Sequence, residues 1–371
     1  MNRRGVALLL VLLAMLVTAA MTAGVLAATS SQTRASGDTQ IALRVAEAAE
    51  RGHILGTSRW PAESSLTTPL GATLGPIHTS FADSTTSSVW ITRVTKGSFW
   101  VTALGRHTSS QNTPPIERRV GVLYGLAVPD VHLTAAVNVR DSLRVAGSAI
   151  VDGTDTPPPS APATCSPTTA IAAAAAPDTS RIIASLSALS GNPSKVQDST
   201  AALDVQLGQF GQVTWSSLVA HATYVIPNAQ PVTPVPRLTG VSCDSLAPHN
   251  WGDPTRSTPC RDRFVIVHAL GDVVMDSGSG QGILLAEGDV ELRNGARFSG
   301  LILARDDVLA LTGANRISGA VFAADARRGN GDITVIADAA AVTYSSCSVE
   351  MALLSTAQMR RVSQRGWIAI H

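Results

Sequence analysis

Followed as a succession of apolar and polar positions, the chain opens with one long apolar block. Residues 5–33 carry no charged side chain, and Arg3 and Arg4 stand directly before them. The centre of the block, Val6 to Ala28, reads VALLLVLLAMLVTAAMTAGVLAA. As a helix, residues 6–28 rise about 1.5 Å each and roughly 34 Å in all, enough to cross the ~30 Å hydrocarbon core of a bilayer. After the block the apolar positions thin out but keep helical spacing. Ile41, Ala42, Val45, Ala46 and Ala49 fall on one side, and Arg44, Glu47, Glu50 and Arg51 fall elsewhere. Glu47 and Arg51 form a favourable i, i+4 pair, and Gly52 offers a stop. The pattern predicts one long helix over 6–57, transmembrane over 6–28 and amphipathic beyond.

Two fates of this segment are compatible with its hydropathy. A cleaved secretory signal has a shorter apolar region and a small-residue cut site, which Val25-Leu26-Ala27 would supply. A retained single-pass anchor would keep Arg3 and Arg4 on the cytoplasmic side and the rest of the chain outside. The amphipathic continuation favours retention, because a discarded signal has no use for it.

Beyond the helix the period shortens to two. Residues 58–87 are rich in Ser, Thr and Pro and read as a connection. Val89 to Leu104 alternates around Lys96-Gly97, a hairpin signal, and Arg118 to Val128 supplies a third strand. A small antiparallel sheet is therefore expected within 58–133. Trp90, Phe99, Trp100 and Tyr124 are expected in its core; a glycan platform is the other use for them.

The second half is a repeat. His268-Ala269-Leu270-Gly271-Asp272-Val273-Val274-Met275 is echoed by Leu285-Ala286-Glu287-Gly288-Asp289-Val290-Glu291-Leu292 and by Leu303-Ala304-Arg305-Asp306-Asp307-Val308-Leu309-Ala310-Leu311. Asp272, Asp289 and Asp307 keep step, as do Gly282, Gly300 and Gly319, and a weaker copy spans Ala135 to Gly153. Short apolar strands with small-residue turns at such a period predict stacked coils, each supplying the neighbour that buries the next. The fold class expected is α+β, mostly β: the long helix, the small sheet, then a right-handed parallel β-helix-like solenoid over 134–155 plus 263–345. Residues 156–262 read as a large insertion and the place to look for binding: a Pro/Ala/Thr-rich linker with Pro157-Pro158-Pro159 and the run Ala172–Ala176, a helical patch at Thr214 to Ala222, then a cysteine-bounded loop. Residues 346–371 read as a C-terminal cap, with Trp367 closing the stack.

Composition narrows the chemistry. The net charge is +1, only 15% of residues are charged, and Lys96 and Lys195 are the sole lysines, so no basic stripe for nucleic acid exists. Cys165, Cys243, Cys260 and Cys347 contain no C-x-x-C and suit disulfides in an exported chain. Cys243 and Cys260 bracket the turn-rich Asn250-Trp251-Gly252-Asp253-Pro254, where closure is worth ~3 kcal/mol. Cys165 with Cys347 is the remaining pair, although four cysteines allow three pairings. No histidine sits at zinc-ligand spacing. The repeated aspartates read first as turn formers beside glycine, with a Ca²⁺-binding or glycan-cleaving carboxylate ladder as the alternative. H-E-x-x-H, G-x-S-x-G and P-loop patterns are absent, and His268 reads as a packed or rim residue. No catalytic residue, metal or cofactor is expected.

The N-terminal order Arg4-Gly5-Val6-Ala7-Leu8, the apolar helix and Val45-Ala46-Glu47-Ala48-Ala49-Glu50 resemble PilX-type pilus assembly proteins, minor pilins of type IV pili, and are similar also to the tip pseudopilin of type II secretion. Gly282-Ile283-Leu284-Leu285, the Asn250 to Pro254 loop and Arg365-Gly366-Trp367 resemble the ectodomain attached to such N-termini. The resemblance implies cleavage by prepilin peptidase between Gly5 and Val6 and methylation of Val6. It implies residence in the inner membrane before assembly, other pilin subunits as partners through the helix, and an ectodomain shown at the cell surface, with a surface or glycan ligand left open. One departure stands out. Major pilins carry a glutamate at the fifth mature position, which here is Leu10, and that suits a rare or tip subunit. A surface-anchored carbohydrate-active β-helix enzyme and a secreted adhesin with a cleaved signal are the rival readings.

Overall fold

The computed structural model describes residues 3–58, 60, 64–107, 116–131, 133–159, 161, 165, 167–198, 209–210, 213–227, 230–325, 333–362 and 367–370. The chain divides into two compact units, one of Met1–Trp60, Pro69–Gly125 and Arg361–His371, the other of Pro61–Thr68 and Leu126–Arg360.

The first unit is a helix on an antiparallel sheet. Helix α1 runs from Arg3 to Ser58. Residues 11–36 are exposed all round. The hydroxyls of Thr18, Thr22 and Thr29 donate to the carbonyls of Ala14, Thr18 and Val25 at 2.8–2.9 Å, so even the polar side chains of this stretch are satisfied within the helix. In the second half Val45, Ala48, Ala49 and His53 are buried against β2 (Thr85–Thr95) and β3 (Ser98–His107). The expected stop at Gly52 is not one: the helix passes through it. Gly52 instead faces the sheet, where a Cβ would overlap the Ser87 hydroxyl, and a Cβ at Gly105 in β3 would overlap the Val45 carbonyl oxygen. Two glycines thus let helix and sheet backbones approach more closely than side chains permit.

β1 (Thr73–Ser80), β2, β3 and β4 (Ile116–Ala127) pair antiparallel in sequence order, with β2 and β3 joined by the predicted turn at Lys96-Gly97. Burial alternates strictly along β2 and β3. Phe99 and Tyr124 lie in the core, while Trp90 and Trp100 occupy the opposite face half-buried. Trp60 meets Phe99 edge-on at 5.1 Å, and the Tyr124 hydroxyl lies 3.0 Å from His53 Nδ1. Trp367, expected to close the stack, lies instead in the strand Trp367–Ile370, which pairs antiparallel with β4. An exposed sheet edge needs a partner, and the end of the chain supplies it.

The second unit consists of parallel strands that alternate between two sheets. In chain order β5 (Ala135–Val139), β7 (Val265–Ala269), β9 (Ser279–Ala286), β11 (Arg297–Ala304), β13 (Arg316–Ala323) and β15 (Ala341–Tyr344) belong to one sheet. β6 (Leu143–Val145), β8 (Val273–Asp276), β10 (Val290–Arg293), β12 (Val308–Thr312) and β14 (Thr334–Ile336) belong to the other. The repeat read from the sequence is the structural register. Ala269, Ala286 and Ala304 are successive partners, as are Val273, Val290 and Val308, and Gly282, Gly300 and Gly319.

Those three glycines have φ of +127°, +130° and +146°. Each sits mid-strand in β9, β11 or β13, where a Cβ would overlap the carbonyl oxygen of the strand beneath: Val265, Gly282 and Gly300 in turn. Only a residue with no side chain allows that approach at that φ. One core lies between the sheets, with Met275, Leu284, Leu292, Phe298 and Ile302 fully buried. A second lies on the outer side of β9, β11 and β13 beneath helix α2 (Ser346–Ser355), where Ile283, Leu285, Leu301 and Leu303 meet Val349, Met351 and Ala352. This two-sided burial is why these strands read as continuous apolar runs.

The stretch 156–262 contributes more to the sheets than its composition suggests. The alanine run, expected in a linker, is a wholly buried strand, Ala172–Ala176, paired parallel with β5 and with Lys195–Gln197. Tyr224–Ile226 and Gln230–Val232 likewise extend β7 and β8. Alanine serves as a core strand here because neighbouring backbones come close: a Cβ at Gly153 would overlap the carbonyl oxygen of Ile171. The predicted helical patch is the short helix Trp215–Ala220, N-capped by Thr214, whose hydroxyl accepts from the Ser217 N–H at 3.1 Å.

Gly300→Ala tests the register. It is expected to destabilise the chain by about 3 kcal/mol or more, because backbone strain is joined by a collision that no side chain can relieve. Gly295→Ala, at φ +80° but with open space around its Cβ, is expected to cost about 1–2 kcal/mol. Equal losses in urea denaturation would contradict the close-approach account.

Candidate functional site

The first candidate is the surface of α1. Among the described residues it is the one helix long and apolar enough to cross a membrane. Val11, Leu12, Leu13, Met15, Leu16, Met21, Val25 and Leu26 are exposed, and nothing among the described residues covers them. Gly5 and Val6 lie in its first turns; their side chains are outside the described residues, as is Leu10.

The second candidate is the loop face of the parallel sheets. The structure joins Cys243 to Cys260, with Cα atoms 4.8 Å apart, and Cys165 to Cys347 at 5.4 Å. The bracketed loop is better packed than a turn-rich segment promises. Trp251 is fully buried in the core between the sheets, and Asn250, also buried, donates through Nδ2 to the carbonyls of Arg237 and Asp244. Asp253 accepts from the N–H groups of Thr255 and Thr258 at 3.0 and 2.7 Å. Gln281 donates to the carbonyls of Arg261 and Arg263, both at 2.9 Å, tying the loop to β9.

Beside the other disulfide, Asp155 accepts from the N–H and hydroxyl of both Thr168 and Ser346. Burial alone would raise this carboxyl, but those hydrogen bonds prevail and hold it below the usual carboxylate range. Asp155 thus holds the loop carrying Cys165 to the start of α2, which carries Cys347. In the sequence Asp152-Gly153-Thr154-Asp155 reads as a turn first and a metal loop second; the tie to Thr168 and Ser346 is not legible there, because those partners are distant along the chain.

The repeated aspartates form a ladder of turn contacts. Asp272 accepts from the Asp289 N–H, and Asp289 from the Asp307 N–H, both at 3.0 Å. Asp307 ends the series. It is 2% exposed; one oxygen accepts from the Thr334 hydroxyl, and the other, Oδ2, is buried without a hydrogen bond. Burial pushes its carboxyl up to about 6, helped by the charges of Asp306, Asp325 and Asp289 and opposed by the Thr334 contact. Asp289, Asp306 and Asp307 bring carboxylate oxygens within 4.8 Å of one another, a spacing that a divalent cation could bridge.

His268 is buried beneath this face and lies 3.2 Å from Glu287. Glu287 also accepts from Trp215 Nε1 at 2.9 Å and pairs with Arg305, whose guanidinium lies 4.6 Å over the Trp215 ring. Burial acts to raise the Glu287 carboxyl, and these donors outweigh it and lower it. The group is therefore a fixed cluster at the ends of β7, β9 and β11, and among the described residues no nucleophile is bonded to His268.

No protein-family model matches this chain, and no curated protein matches it. Among solved structures it is similar to the competence-associated pilin ComZ from Thermus thermophilus, at 11% identity over 89% of this chain and 97% of that one, with a TM-score of 0.26. A TM-score of that size carries no argument about fold or function.

Two substitutions read the carboxylates with opposite sign. Asp307 has its carboxyl raised in the folded chain, so its contribution to stability is greatest below pH 4 and is lost as pH rises through about 6. Asp307→Asn, measured in chelator, is expected to stabilise the chain at pH 7 by up to about 3 kcal/mol, the gain fading towards pH 4. Asp155 has its carboxyl lowered, so its contribution is present above pH 4 and lost as pH falls through the depressed value. Asp155→Asn is expected to lower the melting temperature at pH 7 and to matter least in strong acid. Melting profiles of both variants that track the parent at every pH would refute these assignments.

Proposed function

We propose that the chain is a minor pilin-like structural subunit of a type IV pilus or a related secretion filament. The observation that carries this reading is the division of labour within α1. One continuous helix leaves residues 11–36 bare on every side and packs its small-residue second half onto two strands of a six-stranded sheet. A bare apolar rod in water is untenable, and lipid first, then the helices of sister subunits, would cover it.

Within this proposal α1 anchors the chain in the inner membrane as a single pass, with the β-rich remainder outside. Prepilin peptidase removes residues 1–5, and Val6 becomes the methylated first residue. Leu10 offers no carboxylate to a neighbour's terminal ammonium, so the subunit is incorporated rarely or at the tip. The parallel sheets form a right-handed β-helix, displayed and not catalytic. The engagement of Asp272 and Asp289 in backbone contacts supports that reading, as does the capture of His268 by an ion-pair cluster.

Mass spectrometry of the N-terminal peptide from purified protein tests the proposal. The expected mature chain starts at N-methylated Val6, and Gly5→Ala or another Gly5 replacement is expected to leave Arg3 and Arg4 attached. A mature chain beginning near Ala28 would mean a cleaved secretory signal and would end the proposal.

A further inference from the structure

A second binding feature lies on the outer side of the parallel sheet, away from the aspartate ladder. Arg297 opens β11 and Arg316 opens β13, and the two are direct partners across the parallel ladder. Adjacent strands are about 4.8 Å apart, so the two guanidiniums project side by side, and like charges directly opposite one another destabilise a sheet. Both side chains are exposed, and among the described residues neither has a carboxylate partner. Arg51, Arg106, Arg181 and Arg293, by contrast, each pair with an acid. What sets Arg297 and Arg316 apart is that they are direct partners across the ladder and line one pocket together.

They stand at the rim of a pocket of about 340 Å³. Pro158 and Pro159 from one loop and Pro254 from the disulfide-bracketed loop form walls with no hydrogen-bond donor, and Ser318 adds a hydroxyl beside Arg316. The loops are held in place without the ligand. The Cys243–Cys260 bridge and Asp253 fix the side bearing Pro254, and Asp155, just before Pro158, is tied to Thr168 and Ser346.

We propose that this pocket binds a carboxylate-bearing sugar of an acidic polysaccharide. Two planar guanidiniums side by side match a carboxylate, which can accept from both in paired hydrogen bonds. A bare oxyanion such as phosphate would satisfy the arginines but leave the proline walls facing water. A uronate-type ring brings its anion and a body with carbon-rich faces together, in a volume at the small end of ligand pockets. The proposal adds a ligand to the displayed-subunit reading, and its test measures binding alone, so either can fail without the other.

The test uses the full chain in detergent micelles, titrated calorimetrically with an oligogalacturonate and with its methyl ester, which has the same rings without the charge. The acid is expected to bind and to weaken with added salt, and the ester to bind at least tenfold more weakly. Arg297→Gln and Arg316→Gln are each expected to weaken the acid about tenfold and together about a hundredfold, with melting temperature unchanged or raised by relief of the like-charge contact. Equal binding of acid and ester, or an unchanged affinity in the double variant, would overturn the proposal. So would no heat at millimolar ligand, or tighter binding of inorganic phosphate or a single-stranded oligonucleotide than of the uronate. The comparison of acid with ester needs no variant, so it decides the matter even if one of them misfolds.

Discussion

In the parallel part of this protein neighbouring strand backbones come so close that a carbonyl oxygen occupies the space where a side chain would begin. Gly282, Gly300 and Gly319 are three such places, one above another in the ladder. Their φ values lie in a region that side chains disfavour, so conformation and contact both select glycine at the same register position. That coincidence pins the stack. A slip by one residue would bring Gln281 or Ile283 into the glycine position and turn every interior side chain outward. The remaining features of the unit are consequences: alanine and valine ladders on the inside, aspartates at the corners, and loops gathered where the strands end.

Polar groups in this stack are used to close what the ladder leaves open. Asp272 and Asp289 each accept from the backbone N–H of the following coil, a cross-coil version of the contact that aspartate makes in ordinary turns. Asp307 inherits the position but not the full set of partners, and keeps a buried oxygen without a hydrogen bond. Asp155, by contrast, is buried with four donors and is held ionised by them. The two carboxylates share a residue type; four donors outweigh burial at Asp155, whereas at Asp307 deeper burial and the neighbouring charges of Asp306, Asp325 and Asp289 outweigh a single hydroxyl donor.

The two units place their exposed chemistry differently. In the first, what is exposed is apolar, continuous and helical, suited to lipid or to similar helices. In the second, it is a set of loops over a parallel sheet, with the arginine pair of β11 and β13 among its exposed charges. Loops carried on strands are a common arrangement for recognition, and here the bracketed loop is held by a disulfide together with the burial of Trp251 and Asn250.

The helix was legible from the sequence because a bilayer-length apolar block has no other explanation, and its amphipathic half followed from spacing alone. The parallel register was legible for a similar reason: stacking repeats a contact, so it repeats the residues that make it, and Ala269, Ala286 and Ala304 are visible as a pattern before they are neighbours. What only the folded chain decided has no repetition to reveal it. Gly52 read as a stop and proved to be a close contact with a strand. The alanine run read as a linker and proved to be core, because a narrow interior makes small side chains sufficient. Trp367 read as a lid for the stack and its strand went to the open edge beside β4. In each case the deciding partner lies far away along the chain, and local pattern cannot report a distance that only folding brings to zero.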